Sequence, residues 1–478
     1  GFRYTNDRGE VVSASARDLP PGQTLVGGAT QFASQSISEF RTVDWFLEER
    51  VSLNDKLYVS GGVNLDASSA FGTDERWQLF PRVSLSYVIG ETDFWRNSLG
   101  ATVSSMRLRA AYGQTGGQPP GLYSRFENYF DVAYGGLPGL VPSNTAGNPD
   151  LKPERQREFE FGVDAGLFDD RAQLEFTYYN KKTTDLVLAV PLPPSLGVQN
   201  QFQNIGELGN KGWEAALTTV NVSTPTFSWQ TRLQLAANRN KIEKLVTATD
   251  TLVFDYLNAV VEGQPIGVFL GGIYARNPDG SIAYDANSLP IRGRDSVIDP
   301  VTGALLSTAN ARRVIGDPNP DLIASLSSTV AIGQNVQVSF LLDGRFGNDV
   351  ANFTRRISEY FGADRIVDRE VTGDTIPRTF ALNPNGRINV YEEYVEDGTF
   401  VRLREVAVQF RIDQPFVRRI GAESLTLRLA GRNLLTFTGY RGLDPEVNMF
   451  SASTVSRGVD FATTPLPRTF TFSLGLNF

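Results

Sequence analysis

Apolar and polar residues alternate with a period of two along much of this chain. The C-terminal stretch RTFTFSLGLNF sets Phe470, Phe472, Leu474, Leu476 and Phe478 on one side and Thr471, Ser473, Gly475 and Asn477 on the other. A helix would scatter both sets around its circumference, so the pattern predicts a strand. SLTLRLAGRNLLTF repeats it with Leu425, Leu427 and Leu429 against Thr426, Arg428 and Ala430, and NVQVSFLLDGRFG with Val336, Val338, Phe340 and Leu342 against Gln337, Ser339 and Asp343. REFEFGVDAGLF does the same with Phe159, Phe161, Val163, Ala165 and Leu167 against Glu158, Glu160 and Asp164, and QLEFTYYN with Leu174, Phe176 and Tyr178. Each of these strands meets one apolar and one watery environment.

About thirteen such segments are predicted, near 39–52, 56–65, 77–89, 103–112, 155–167, 171–188, 211–222, 227–240, 320–331, 335–347, 399–412, 424–438 and 468–478. Their connections alternate in length. Those at 53–55, 168–170, 223–226, 332–334 and 413–423 are short, with FDDR, STPT and IGQN as turn sequences, while 113–154, 189–210, 241–319, 348–398 and 439–467 are long. An outer-membrane barrel has this asymmetry, because its turns are short on one side and its loops long on the other. A soluble sandwich or propeller with a buried apolar face is the competing reading, and nothing in it requires all long loops at one end. The fold class predicted is therefore all-β, an antiparallel transmembrane barrel portion. Trp45, Phe46, Trp77, Tyr87, Phe227, Trp229 and Phe437 lie near strand ends, where interfacial aromatic girdles occur.

Composition then removes chemistry. The chain has no His, no Cys and only 2 Met, so the common zinc sites, an imidazole base, and Ser-His or Cys-His dyads have no residues to run on. Only carboxylate chemistry remains. The pairs Glu392-Glu393 and Asp169-Asp170 are the candidates, but neighbours on a strand face opposite ways and Asp169-Asp170 falls in a predicted tight turn. The reading is not an enzyme, and no catalytic, cofactor-binding or metal residue is assigned. A net charge of −8 argues against nucleic acid as partner. No apolar run is long enough for a transmembrane helix.

Several stretches, in order, resemble the SusC/RagA-like branch of TonB-dependent outer-membrane receptors. They are NLDASSAFGTDERWQLFPRVSLSY (Asn64 to Tyr87), MRLRAAYGQTG (Met106 to Gly116), NPDLKPERQREFEFGVDAGLFDDRAQLEFTYYNKKTTDLV (Asn148 to Val187), FQNIGELGNKGWEAAL (Phe202 to Leu217), GQPIGVFLGGIYA (Gly263 to Ala275) and YVEDGTFVRLREVAVQF (Tyr394 to Phe410). Asp66-Ala67 departs from the family's usual Asp-Gly, and NPDGSIAYDANS (Asn277 to Ser288) keeps only Asp279 and Asp285 where a cation loop would want more oxygens, so a plain DG turn is expected there. The resemblance covers nearly everything from residue 39 onward, leaving 1–38 as an N-terminal loop or partial segment and 39–478 as barrel. It implies a barrel of about 22 strands with an N-terminal plug. Against that, about thirteen strands read as the C-terminal portion of a larger receptor, with the plug domain absent.

The resemblance also implies function: TonB-dependent import of a large nutrient such as an oligosaccharide or peptide. A siderophore or iron-chelate receptor and a structural or adhesive surface barrel are the alternatives. Implied partners are a SusD-like lipoprotein lidding the loops, the TonB complex through a missing N-terminal region, the barrel-assembly machinery and outer-membrane lipids, in the bacterial cell outer membrane. Tyr123, Phe126, Tyr129, Phe130 and Tyr134 are the candidate ligand or lid contacts, with packing of a large loop onto the rim as the alternative role. Phe470, Phe472, Leu474, Leu476 and Phe478 are the candidate assembly signal.

Overall fold

A computed structural model describes residues 1–18, 21–22, 30–72, 75–134, 137–246, 251–286, 289–298, 305–364, 389–419, 421–453 and 455–478. All thirteen expected segments are strands: Thr30–Leu53, Leu57–Ser68, Trp77–Tyr87, Val103–Gly117, Glu154–Leu167, Ala172–Pro191, Asn200–Ser223, Phe227–Leu245, Leu322–Ile332, Val336–Phe346, Phe400–Ile412, Ser424–Thr438 and Thr469–Asn477. Residues 1–38 need correcting. They hold a further strand, Phe2–Arg17, paired antiparallel with Thr30–Leu53. Its sequence FRYTNDRGEVVSASAR sets Phe2, Tyr4 and Val12 on one face but interrupts them with Asn6, Arg8 and Glu10, so it carries no sustained period-two apolar signal to read.

The chain divides into two compact units. The first comprises Gly1–Tyr87, Arg109–Glu160 and Lys181–Leu208. Here the first four strands form a meander in which register sorts residues by face. Phe2, Trp45, Leu65 and Leu79 lie in one cross-strand row, and the adjacent row is Arg3, Asp44, Asp66 and Gln78. Phe46 therefore faces away from Trp45, unlike the girdle position expected for it. Ala67 lies within the Leu57–Ser68 strand and is not among the positive-φ residues, so alanine replaces glycine there without strain.

The second unit comprises Val88–Leu108, Phe161–Asn180 and Gly209–Phe478. Six of its strands, from Phe227–Leu245 to Thr469–Asn477, pair antiparallel in chain order. One row reads Phe227, Ile332, Val336, Phe410, Leu427, Leu474; the next reads Ser228, Ala331, Gln337, Gln409, Arg428, Ser473. The row after that is apolar again: Trp229, Val330, Val338, Val408, Leu429, Phe472. The apolar face is largely uncovered, to the point that Phe470 is 81% and Phe478 76% exposed. Among the described residues no helix is long and apolar enough to cross a membrane.

Antiparallel order places the short connections at one end of these six strands and the long ones at the other. Left-handed backbone closes several of the short turns: Phe168, Asp169 and Asp170 have φ of 55°, 56° and 60°, and Gly333 has 61°. Asp and Gly adopt that region readily. The long connections are folded. Thr251–Val253, Asn258–Val261, Val268–Gly272 and Arg312–Gly316 make a four-stranded sheet, and Asp349–Asn352 lies between Val395–Asp397 and Val459–Asp460. Asn352 caps the helix Phe353–Tyr360, its side chain accepting from Arg355 N at 2.9 Å.

Candidate functional site

A β-bulge organises the polar face of the second unit. Between Leu403 and Glu405 the register with both neighbouring strands shifts by one, so Arg402, Arg404 and Glu405 all reach acidic or basic partners instead of alternating. Glu405 accepts from Arg428 at 2.6 Å and Arg432 at 2.7 Å. Arg404 binds Asp343 and reaches Glu446 at 2.9 Å; Arg402 binds Asp444 and reaches the same Glu446 at 2.9 Å. Arg345 adds a third contact to Glu446 at 3.4 Å.

Asp444 and Glu446 belong to the long connection 439–467, which is thus fastened to the wall by charge. Asp444 also accepts from the backbone N–H of Glu446 at 3.0 Å and of Leu466 at 3.1 Å. Burial pushes the Asp444 carboxyl up, but the Arg402 guanidinium and these N–H groups outweigh it and hold the acid below the usual carboxylate range. Arg402 is only 2% exposed. A charge so buried is tolerable because two carboxylates pair with its terminal nitrogens, although its Nε has no hydrogen-bond partner.

Above the wall the loops form a body with its own core of Leu257, Phe269, Ala351, Phe353 and Val459, against which Ile315, Tyr391, Val395, Met449 and Phe450 pack. Beside it Arg355 pairs with Glu359 at 3.0 Å, Glu396 at 3.1 Å and Glu393 at 3.3 Å. Burial works against the Arg355 charge, but these carboxylates raise its pKa above the ordinary value. The Tyr394 hydroxyl donates to Glu359 at 2.6 Å and that of Tyr440 to Asp460 at 2.7 Å. Burial and Asp460 push the Tyr440 phenol up. Glu392 and Glu393 stand in a 3-10 turn, Tyr391–Tyr394, rather than on a strand, and both are engaged, Glu392 with Arg276 at 2.9 Å and Glu393 with Arg355. Asp279 accepts from Ser281 N at 3.0 Å, and Gly280 N donates to Asn277 O at 2.9 Å, which makes the expected DG turn.

The aromatic candidates lie in the first unit. The Tyr123 hydroxyl accepts from Glu39 N at 2.7 Å, and the Arg125 guanidinium lies 3.8 Å over the Phe126 ring. Tyr129 and Phe130 are exposed on the hairpin of Tyr129–Tyr134 with Leu137–Pro142; as successive strand residues they take opposite faces. The Tyr134 side chain lies outside the described residues. Tyr129 and Phe130 are thus parted by the hairpin, while Tyr123 and Phe126 stand in the turn before it. Sequence reading passed over the Asp343, Arg402, Arg404, Asp444 and Glu446 cluster. Its signal was the basic alternation in FVRLRE, but the carboxylates are distant in sequence and only the bulge and the returning loop bring them in.

Comparison with known proteins matches residues 1–434 to the family described as TonB dependent receptor-like, beta-barrel. TonB-dependent receptor P3 of Formosa agariphila is 29% identical across 100% of the chain and 50% of that protein, and TonB-dependent receptor P26 of the same organism 31% identical across 92% and 46%. TonB-dependent receptor SusC of Bacteroides thetaiotaomicron is 24% identical across 91% of the chain and 43% of its own length. The chain thus spans about half the length of the curated relatives it matches. Its fold superposes on the RagAB peptide importer in its closed-closed state with a TM-score of 0.78 at 22% identity, over 100% of this chain and 53% of that one. The match over residues 1–434, together with the strands described above, shows that the chain belongs to the TonB dependent receptor-like β-barrel family.

Proposed function

We propose that the chain supplies barrel wall and outer loops to a receptor that imports a large nutrient, an oligosaccharide or peptide, through the outer membrane with energy delivered by TonB. The observation that carries this reading is the division of the second unit. Its outward rows are uncovered apolar side chains suited to lipid, while the long connections at one end fold into a polar, charge-lined body fastened to the wall. Such loops suit capture of a solute from outside, with a SusD-like lipoprotein closing over them. The relatives support the class, since one solved neighbour is a peptide importer and one curated relative is SusC.

Uptake of labelled oligosaccharides, peptides and iron chelates by cells carrying the full-length receptor tests it. TonB-dependent uptake of one of the first two is expected. Uptake of iron chelates alone, or uptake unchanged without TonB, would refute it. The terminal strand is proposed as the assembly signal read by the barrel-assembly machinery. Removing Phe478 should reduce the amount of heat-modifiable receptor in the outer membrane, and an unchanged amount would count against that role.

A further inference from the structure

Among the short connections of the second unit, basic charge is confined to one. The connections 168–170, 223–226 and 332–334 contain no Lys or Arg. In 413–423 two arginines stand side by side, Arg418 and Arg419, and both are exposed. Among the described residues neither guanidinium has an ion pair or a hydrogen bond, and Asp413 and Glu423, which bracket the connection, do not pair with them. Arg355, Arg402 and Arg404 of the same unit are each held by carboxylates. The doublet is thus a local charge that nothing in its own unit neutralises.

Its position is fixed by the fold. Arg418 and Arg419 end the short helix Pro415–Arg419, whose Val417 is wholly buried, and Val417 N donates to Gln414 O at 2.9 Å. Gly421, at a φ of 83°, turns the chain with its N–H on Arg418 O at 3.1 Å, and Glu423 N donates to Asn477 O at 2.6 Å. The connection is thereby tied to the last strand. It also adjoins the edge of the uncovered apolar face. Ile412, Leu425 and Leu476 form the last apolar cross-strand row before the connection, and Phe410, Leu427 and Leu474 form the apolar row inside it. Asp413 follows Ile412 directly, and strand residues advance only about 3.3 Å each. Beyond the hydrocarbon a headgroup layer extends for roughly 5–7 Å, so a connection that starts at this edge enters that layer.

We infer that Arg418 and Arg419 bind the phosphate of an anionic phospholipid in the leaflet reached by the short connections, and so anchor the terminal strand at the membrane surface. Guanidinium groups present paired N–H donors that match phosphate oxygens, and an arginine stem lies along apolar surface while its charge stays in the polar layer. One lipid molecule satisfies both parts of the site, its acyl chains covering Leu425 and Leu476 and its headgroup meeting the doublet. A soluble acidic partner would leave the apolar row uncovered. The inference rests on the outer-membrane placement of the wall and is independent of which nutrient is imported.

The test is native mass spectrometry of the full-length receptor in a neutral detergent, titrated with phosphatidylglycerol or with phosphatidylcholine of the same chain length. Phosphatidylglycerol should be retained several-fold more tightly, and less so as salt rises. Arg418→Gln and Arg419→Gln should each weaken that retention about fivefold, and about twentyfold together, with heat-modifiable migration unchanged. If the double variant does not assemble, the two single variants carry the comparison. Equal retention of the two lipids overturns the inference, as does phosphatidylglycerol retention that the substitutions leave unchanged. Displacement of the lipid by millimolar inorganic phosphate also overturns it, since the doublet would then be a site for a free anion.

Discussion

The wall and the loop body of the second unit use the same residue types in opposite ways. On the wall, Leu427, Leu429, Phe472 and Leu474 face outward in continuous rows, and the charged residues turn to the other face. In the loop body, Phe269, Phe353 and Val459 are buried in a core, and charge is buried beside it in the Arg355 network. The loop body folds as a water-soluble protein does, by removing apolar surface from water. The wall leaves such surface out, and only a lipid surrounding makes that stable. One chain therefore follows two solvent rules, and a substitution should have different consequences according to which rule governs its site.

The comparison breaks hardest where the two regions are joined. Arg402→Ala would leave Asp444 and Glu446 without their shared buried partner and cost about 3–5 kcal/mol, so the connection 439–467 should become protease-sensitive while the barrel still shifts on a heated gel. Phe353→Ala removes a ring from the loop core, also at about 3–5 kcal/mol. It should expose loop sites to protease and reduce ligand uptake with surface amount unchanged; loss of the protein from the membrane would show that loop and wall fold as one.

A sharper contrast comes from two exposed leucines. Leu429→Arg on the outward row should destabilise the assembled barrel by about 2–4 kcal/mol, whereas Leu443→Arg, in a loop where the native side chain is 81% exposed, should change stability by less than about 0.5 kcal/mol. Equal effects in a detergent unfolding titration would remove the distinction between lipid and water. The smallest effect is that of pH. The Asp444 carboxyl is held below its ordinary value, so its contribution is present above the usual carboxylate range and is lost as pH falls through the depressed folded value. Pepsin cleavage within 439–467 should rise over that acid window, and less so in Asp444→Asn.

Strands such as Ser424–Thr438 and Thr469–Asn477 were legible because period-two alternation is local, and the apolar side had to lie on one face. Phe2–Arg17 was not, since FRYTNDRGEVVSASAR has no continuous apolar face and is a strand by virtue of pairing with Thr30–Leu53. The turn at Phe168–Asp170 was legible from FDDR, and its left-handed backbone agrees. The charged cluster was illegible because Arg402 and Asp444 are joined across a long connection.

By itself the sequence determined the thirteen two-faced strands, the alternation of short and long connections, and the family, because all of these repeat locally or in chain order. The tertiary structure decided which charges meet. Register and the bulge at Leu403–Glu405 set which side chains share a face, and the returning loop supplied Asp444 and Glu446. Electrostatic partnership depends on distance through space, and a linear alternation carries no information about that distance.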